Sequence, residues 1–215
     1  GVTVGFPQDQ TCCGQPVYNT GYNHEARKLA RRVLEQFRDS EYVVVPSGSC
    51  AATLRVFYLE LFAEDPKLLE EAKALAAKTY EFSEFLVKVL KVEDAAACGA
   101  THQGTATYHP SCHLLRELGV KSGPRKLLRS VPGLEEKELE GAEICCGFGG
   151  TFSVKFPHIS EGMVGDKIAN VQSSGAETLV SCDMSCLMNI GGALNRQGSS
   201  VKVRHLAQIL DADSD

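Results

Sequence analysis

Cysteine is the residue type in this chain whose number and spacing could do chemistry. The 215 residues include nine cysteines, and two pairs of them are adjacent and followed by glycine. The fuller pattern contains Tyr108-His109-Pro110-Ser111-Cys112-His113, Cys145-Cys146-Gly147-Phe148-Gly149-Gly150 and Cys182-Asp183-Met184-Ser185-Cys186. A shorter copy contains Cys12-Cys13-Gly14-Gln15-Pro16 and Ser47-Gly48-Ser49-Cys50. Only Cys98 lies outside these repeated motifs.

The spacing of the cysteines favours an inorganic centre over a disulfide framework. In the second copy, 32 residues separate Cys112 from Cys145 and 39 separate Cys146 from Cys186, so the fold has to gather the ligands. Four thiolates commonly hold an iron–sulfur cluster, and zinc accepts four as well. Adjacent cysteines reach one small tetrahedral ion only with strain, whereas they can reach different irons of a cluster. We therefore predict that Cys112, Cys145, Cys146 and Cys186 bind one metal centre, with Cys182 as a further candidate ligand.

The first copy predicts a second site that is weaker or incomplete. Its candidate ligands are Cys12, Cys13 and Cys50. In the second copy Cys112 precedes the adjacent cysteines by 33 positions, and the same step back from Cys12 falls before Gly1. The symmetry of the copies thus predicts an upstream strand, a helix and a fourth ligand. After aerobic preparation we expect such a site to be empty, oxidised to a disulfide or filled by zinc.

The elements that must position these cysteines read as alternating strands and helices. Periodicity predicts strands at 42–45, 105–108, 177–180 and 201–204, and helices at 51–62, 125–130, 160–172, 187–196 and 205–210, with one more beginning near Asn23 and two helical pieces within 66–90. This alternation predicts an α/β fold with mainly parallel sheets flanked by helices. Sites of such folds collect at the C-terminal ends of strands, where Cys50, Cys112 and Cys186 are expected.

Registration of the two copies indicates an internal duplication. The step from Cys12 to Cys145 is 133 positions, and the step from Cys50 to Cys186 is 136. A drift of three positions is what one small insertion or deletion would leave. The sequence therefore predicts two similar halves, at residues 1–97 and 98–215, joined near Cys98.

Composition excludes several classes of function. The net charge is −5 with interspersed signs, which argues against a nucleic-acid surface. No apolar run is long enough to cross a bilayer, so direct membrane insertion is not expected. The segment Gly147-Phe148-Gly149-Gly150 lacks the Lys and Ser or Thr of a phosphate loop, which argues against nucleotide binding.

Two histidines, His109 and His113, lie near Cys112 in the sequence. They could ligate metal, donate a hydrogen bond to a cluster sulfur or transfer protons, and support of the site or packing is favoured over ligation.

The cysteine motifs resemble those of a known family. The chain is similar to the Cys-Cys-Gly domain proteins found in heterodisulfide reductases and among glycolate oxidase iron–sulfur proteins. More closely, it resembles the lactate utilization protein A family. The stretches that carry this are Gln10–Pro16, Pro46–Cys50, Lys78–Phe82, Tyr108–Gly119, Cys145–Val154 and Cys186–Gly192. The broader pattern ends in Cys-x-x-Cys, whereas here Ser47 replaces the first of those cysteines and Cys182 stands one residue too far from Cys186.

The resemblance implies a cytoplasmic iron–sulfur subunit, with a cluster of the 4Fe-4S type, in the oxidation of L-lactate to pyruvate. It also implies two companion proteins, one of them a ferredoxin-like iron–sulfur protein. The chain shows no flavin or nicotinamide motif, so we expect an oxidoreductase subunit that acts with its partners; no catalytic residue is assigned. Two alternatives stay open. One is a cluster enzyme acting on a thiol or disulfide, and the other is a zinc-stabilised scaffold without catalysis.

Overall fold

The computed structural model describes residues 2–211, which fold as a mixed α/β protein. In chain order the elements are α1 (Gln15–Asn19), α2 (Asn23–Gln36), β1 (Val43–Val45), α3 (Gly48–Ala52), a π-helical turn (Thr53–Phe57), α4 (Tyr58–Leu61), α5 (Pro66–Lys78), β2 (Thr79–Glu81), α6 (Phe82–Glu84), a second π-helical turn (Phe85–Val89), a 3-10 turn (Ala95–Cys98), β3 (Gly104–His109), α7 (Cys112–Arg116), α8 (Ser122–Arg129), β4 (Leu134–Lys137), α9 (Phe152–Lys155), α10 (Pro157–Ser173), β5 (Thr178–Ser181), α11 (Met184–Arg196), β6 (Lys202–His205) and α12 (Leu206–Leu210).

Two compact units make up the chain. The first comprises Gly1–Val43 and Thr53–Thr79, and the second comprises Val44–Ala52 and Tyr80–Asp215. The second unit therefore takes a short segment from the first copy of the cysteine motif. The division into halves at 1–97 and 98–215 stays a prediction.

Helices form the bulk of the first unit. The apolar face of α2, predicted from residues spaced by three and four, is buried and packs against α4 and α5. The helix begins at Asn23, where the sequence predicted its start, and Tyr22 is its N-cap. The carboxylate of Asp65 caps α5 by accepting a hydrogen bond of 3.2 Å from the Leu68 backbone. The segment before Cys12 is irregular, and α1 follows the Cys-Cys-Gly motif directly.

A four-stranded sheet organises the second unit. Its strand order is β4-β3-β5-β6, and every neighbouring pair is parallel. All four residues of β5 are buried, as expected for a central strand covered on both faces. Leu179 and Val180 are neighbours in β5 and belong to two different core clusters, because successive side chains in a strand point to opposite faces.

This architecture confirms the predicted α/β class with parallel strands flanked by helices. Strands β1, β3, β5 and β6 lie where periodicity placed them, to within two residues. The prediction missed β2 and β4, and a single helix at 51–62 was wrong because a π-helical turn interrupts it. Within residues 2–211, none of the helices combines the length and the apolar composition that a bilayer crossing requires.

Candidate metal centre

The cysteines of the second copy lie at the C-terminal ends of two neighbouring strands. Strand β3 ends at His109, which pairs in register with Ser181 at the end of β5. Ser111 then caps α7 by accepting from the Leu114 backbone at 3.4 Å, which makes Cys112 the first helical residue. Helix α11 follows β5 and carries Cys186 in its first turn. Parallel pairing of β3 with β5 therefore brings both helix starts to one edge of the sheet.

The four predicted ligands form a continuous group of thiols. Hydrogen bonds link the Cys145 side chain to Cys112 and Cys146, and another links Cys146 to Cys186. Donation by Cys112 and Cys146 lowers the pKa of Cys145, whereas the pKa values of both donors are raised by those same bonds and by burial. One thiolate is thus favoured in the group. A bound cation would favour ionisation of Cys112 and Cys146 as well.

His109 joins this group of thiols. One ring nitrogen of His109 and the sulfur atoms of Cys146 and Cys186 all lie within 4.8 Å of one another. The His109 side chain is buried, with 1% of its surface exposed, and neither ring nitrogen makes a hydrogen bond of ordinary geometry within the described residues. Burial and the nearby Lys167 ammonium lower the pKa of His109 to about 4, so its ring is neutral at pH 7.

The loop that carries the adjacent cysteines is held from two sides. Gly147 has a φ of +83°, and a Cβ placed there would lie 2.9 Å from both the Met163 Cβ and the Ser160 carbonyl oxygen of α10. Ser160 Oγ donates to the Gly147 carbonyl at 2.9 Å. From α11, Asn189 Nδ2 donates to the Cys146 carbonyl at 2.9 Å. These contacts fix the Cys145-Cys146 backbone between α10 and α11.

The same turn occurs in the first unit. Gly14 has a φ of +86°, and its N–H donates to Cys12 Sγ at 3.4 Å. Gly147 donates to Cys145 Sγ at the same distance. A hydrogen bond with Cys13 and one from Gly14 contribute to lowering the pKa of Cys12 to about 6 against the effect of burial. The first copy of the motif therefore repeats the backbone turn, and its Cys12 thiol has a lowered pKa chiefly because of the hydrogen bond with Cys13.

A model of the cysteine-rich domain family matches this chain at residues 1–55 and 106–191. Lactate utilization protein A of Bacillus subtilis is 54% identical over 99% of the chain and 87% of its own length. The proteins of the same name from Shouchella clausii and Geobacillus kaustophilus are 51% and 52% identical over the same shares. The chain belongs to the lactate utilization protein A family. The resemblance inferred from the cysteine motifs is thereby confirmed.

In this member of the lactate utilization protein A family, the donor set fits a metal centre. The imidazole of His109 lies with Cys146 and Cys186, hydrogen bonds connect these two thiols to Cys145 and Cys112, and soft sulfur with nitrogen donors suits iron or zinc. An unpaired buried imidazole is costly unless a partner satisfies it, and a metal atom would do so. These residues are therefore compatible with metal or iron–sulfur binding.

The other candidate cysteines lie elsewhere. Cys182 is fully buried in the core cluster that contains Val180, on the face of β5 opposite the cluster of Cys146 and Cys186. Tyr108 Oη donates to its sulfur at 3.6 Å. Cys98 is exposed. Cys12 and Cys13 belong to the first unit and Cys50 to the second, so a shared site for these three stays a prediction.

Three polar residues around the centre were missed by sequence reasoning. Lys167 is buried and donates to the carbonyls of Gly141 at 2.6 Å and Ala142 at 3.2 Å. Burial lowers its pKa, while the neighbouring thiols act in the opposite direction. Its position on the apolar face of α10 was the available signal. For Asn189 the signal was its position one turn after Cys186 on α11. For Asp183 it was its residue type, because Asp is a preferred N-cap and this one directly precedes α11.

Asp183 connects two helix starts within the second unit. Its buried carboxylate accepts hydrogen bonds from the Ser185 backbone at 3.1 Å and from the Ser49 backbone at 2.8 Å. It thereby caps α11, which carries Cys186, and satisfies a backbone donor of α3, which carries Cys50. The Gly48 N–H also donates to the Cys182 carbonyl at 3.1 Å.

A cavity of about 770 Å³ opens beside Cys145. Its lining includes Arg116, Lys121 and Arg125. Arg116 donates to the Glu143 carbonyl at 3.2 Å, and Lys121 pairs with the Glu143 carboxylate at 3.0 Å. The cavity gives the Cys145 edge of the thiol group a route to the surrounding solvent, past cationic side chains.

Proposed function

We propose that this protein is an iron–sulfur oxidoreductase subunit of a system that oxidises L-lactate to pyruvate. The observation that carries the proposal is a connected group of four thiols, two of them beside the buried His109 imidazole, in a chain of the lactate utilization protein A family. The name of the relatives supports the pathway, and the donor set supports the cofactor.

Cys112, Cys145, Cys146 and Cys186 would hold the centre. When bound, an iron–sulfur cluster, taken to be of the 4Fe-4S type, supplies one-electron transfer. The Lys167 ammonium offsets part of the negative charge of the thiolates, since it lies close enough for those sulfurs to act on its pKa. The backbone of Gly147 orients Cys145 through the N–H that it donates to the sulfur. The cavity beside Cys145 keeps that edge of the site accessible.

Companion proteins complete the system in this proposal. Oxidation of L-lactate to pyruvate releases two electrons, whereas the iron–sulfur cluster carries one at a time. A second component is therefore needed to accept the electron pair from the substrate. We assign this task to companion lactate-utilization proteins, one of them ferredoxin-like, in the cytoplasm. Cys12, Cys13 and Cys50 would form a second, weaker or incomplete centre, for which the activated Cys12 thiol is the local support.

The deciding experiment is iron and sulfide analysis of the anaerobically prepared chain, with its absorption spectrum. We expect bound iron and acid-labile sulfide. Cys146→Ser should remove iron while the chain stays folded, and the exposed Cys98→Ser should serve as the matched control with iron unchanged. Reconstitution with the companion proteins should then give lactate-dependent reduction of the centre. Bound zinc without iron or sulfide would refute the proposal.

A further inference from the structure

His109 is a polar side chain that is buried beside the thiols without a hydrogen bond of ordinary geometry to any described residue. It ends β3, is 1% exposed, and has no ordinary hydrogen bond at either ring nitrogen within residues 2–211. His205, another buried histidine of the second unit, uses its Nδ1 to accept from the Ala207 backbone at 3.0 Å and thereby caps α12. A buried imidazole without a hydrogen bond of ordinary geometry is expected only where another partner satisfies it.

The spacing of His109 from two thiols suits a single metal atom. Metal–sulfur bonds of about 2.3 Å and metal–nitrogen bonds of about 2.0 Å place two ligands of one atom at most ~4.6 Å apart. One ring nitrogen of His109 and the sulfurs of Cys146 and Cys186 lie within 4.8 Å of one another, close to that span. Cys145 is hydrogen-bonded to Cys112 as well as to Cys146, and neither Cys145 nor Cys112 belongs to that three-residue set, which is consistent with the adjacent cysteines serving different metal atoms.

We propose that His109 is a nitrogen ligand of the centre and shares one metal atom with Cys146 and Cys186. This inference rests on the metal centre of the proposed function and adds a ligand that the thiol motifs do not include. The proposed ligand set is asymmetric. One metal atom would be held by nitrogen and sulfur ligands, and the metal near Cys112 and Cys145 would be held by sulfur alone. A neutral imidazole in place of a thiolate raises the reduction potential of an iron–sulfur centre.

The first test needs no substitution. Wild-type chain with ¹⁴N- or ¹⁵N-labelled histidine is reconstituted anaerobically with iron and sulfide, brought to a paramagnetic state, and studied by pulsed electron paramagnetic resonance. We expect a strong nitrogen coupling that changes with the isotope. A centre that shows only the weak coupling typical of a hydrogen-bonded nitrogen would overturn the inference while leaving the proposed function intact.

Two variants assign that coupling to a residue. His109→Cys should retain iron, lose the strong nitrogen coupling and lower the midpoint potential, because an anionic sulfur replaces a neutral nitrogen. His113→Gln is the matched control, since His113 flanks Cys112 on the other side with Nδ1 3.8 Å from its sulfur. The control should keep the coupling. Loss of the coupling in His113→Gln and its persistence in His109→Cys would overturn the inference.

A single-ion probe separates the two proposals. Co²⁺ is titrated into the metal-free, reduced full chain, and its ligand-field absorption is followed. Binding to wild type should be at least tenfold tighter than to His109→Gln, in line with the loss of a site residue. If iron and sulfide do not assemble but this difference holds, the iron–sulfur function fails and the His109 ligand stands. Equal Co²⁺ affinity for wild type and for a His109→Gln variant with an unchanged circular dichroism spectrum would overturn the ligand.

Discussion

Replacing Gly147 with alanine tests whether the turn after the adjacent cysteines positions the proposed metal centre. At a φ of +83° an L-residue costs about 1–2 kcal/mol. The new Cβ would also lie 2.9 Å from the Met163 Cβ and from the Ser160 carbonyl, and such overpacking typically costs about 1–3 kcal/mol. We therefore expect Gly147→Ala to lower the free energy of unfolding by roughly 2–5 kcal/mol, less the gain from a stiffer unfolded chain.

Gly175→Ala is the matched control for this substitution. Gly175 has a φ of +67°, and no heavy atom of the described chain lies within 4 Å of the Cβ that alanine would add. Backbone strain and the effect on the unfolded chain are therefore similar in Gly147→Ala and Gly175→Ala. The difference between their unfolding free energies then measures the contact of the new Cβ with α10. Urea denaturation should show Gly147→Ala to be less stable than Gly175→Ala by about 1–3 kcal/mol.

Iron content supplies the functional half of the same test. Relief of the contact with α10 moves the loop, and with it Cys146, whose carbonyl is held by Asn189 of α11. We expect Gly147→Ala to bind less iron per chain after anaerobic reconstitution, and Gly175→Ala to match wild type. Equal stability of the two variants together with a full iron complement in Gly147→Ala would refute the positioning argument.

Three further predictions concern polar side chains of the second unit. Burial raises the pKa of Glu81 from 4.5 to about 7, so the folded chain keeps this proton where the unfolded chain loses it. Stability should fall as the pH rises through that window by on the order of 3 kcal/mol, and urea denaturation at pH 5 and pH 8 should show a smaller fall in Glu81→Gln. Asn189→Ala removes the hydrogen bond to the Cys146 carbonyl and should cost about 1 kcal/mol of unfolding free energy and lower the iron content; unchanged iron would contradict its positioning role. Lys167→Met leaves the carbonyls of Gly141 and Ala142 without their donor and should cost about 1–3 kcal/mol, whereas a neutral result by thermal unfolding would show that water replaces the ammonium.

Sequence reasoning succeeded where a pattern has one structural solution. The buried run of β5 and the apolar spacing of α2 each predicted their element. The expectation that Cys112 and Cys186 follow strand ends agrees with the starts of α7 and α11, because parallel pairing leaves those ends at one edge. Local spacing was therefore enough to predict that Cys112 and Cys186 follow strand ends, and the ligand set itself stays a prediction.

Elements without such a pattern could not be predicted. Strand β4 reads Leu-Glu-Glu-Lys and buries only Leu134, so neither alternation nor β-branched residues mark it. Strand β4 forms by pairing with β3, which is distant in the sequence, and local residue propensities do not predict such a contact. The orientation of His109 was hidden for a different reason: the last four residues of β3 are all buried, so no alternation shows which face its ring occupies.

The carboxylate of Asp183 makes the two copies of the cysteine motif depend on each other. It accepts from Ser49 of the first copy and Ser185 of the second, and it is 1% exposed. A fragment that begins at residue 98 would keep the second set of cysteines but leave this buried anion without the Ser49 donor, a loss that is costly for a charged group. Transplanting the second set of cysteines into another protein therefore requires residues 44–52 as a separate graft.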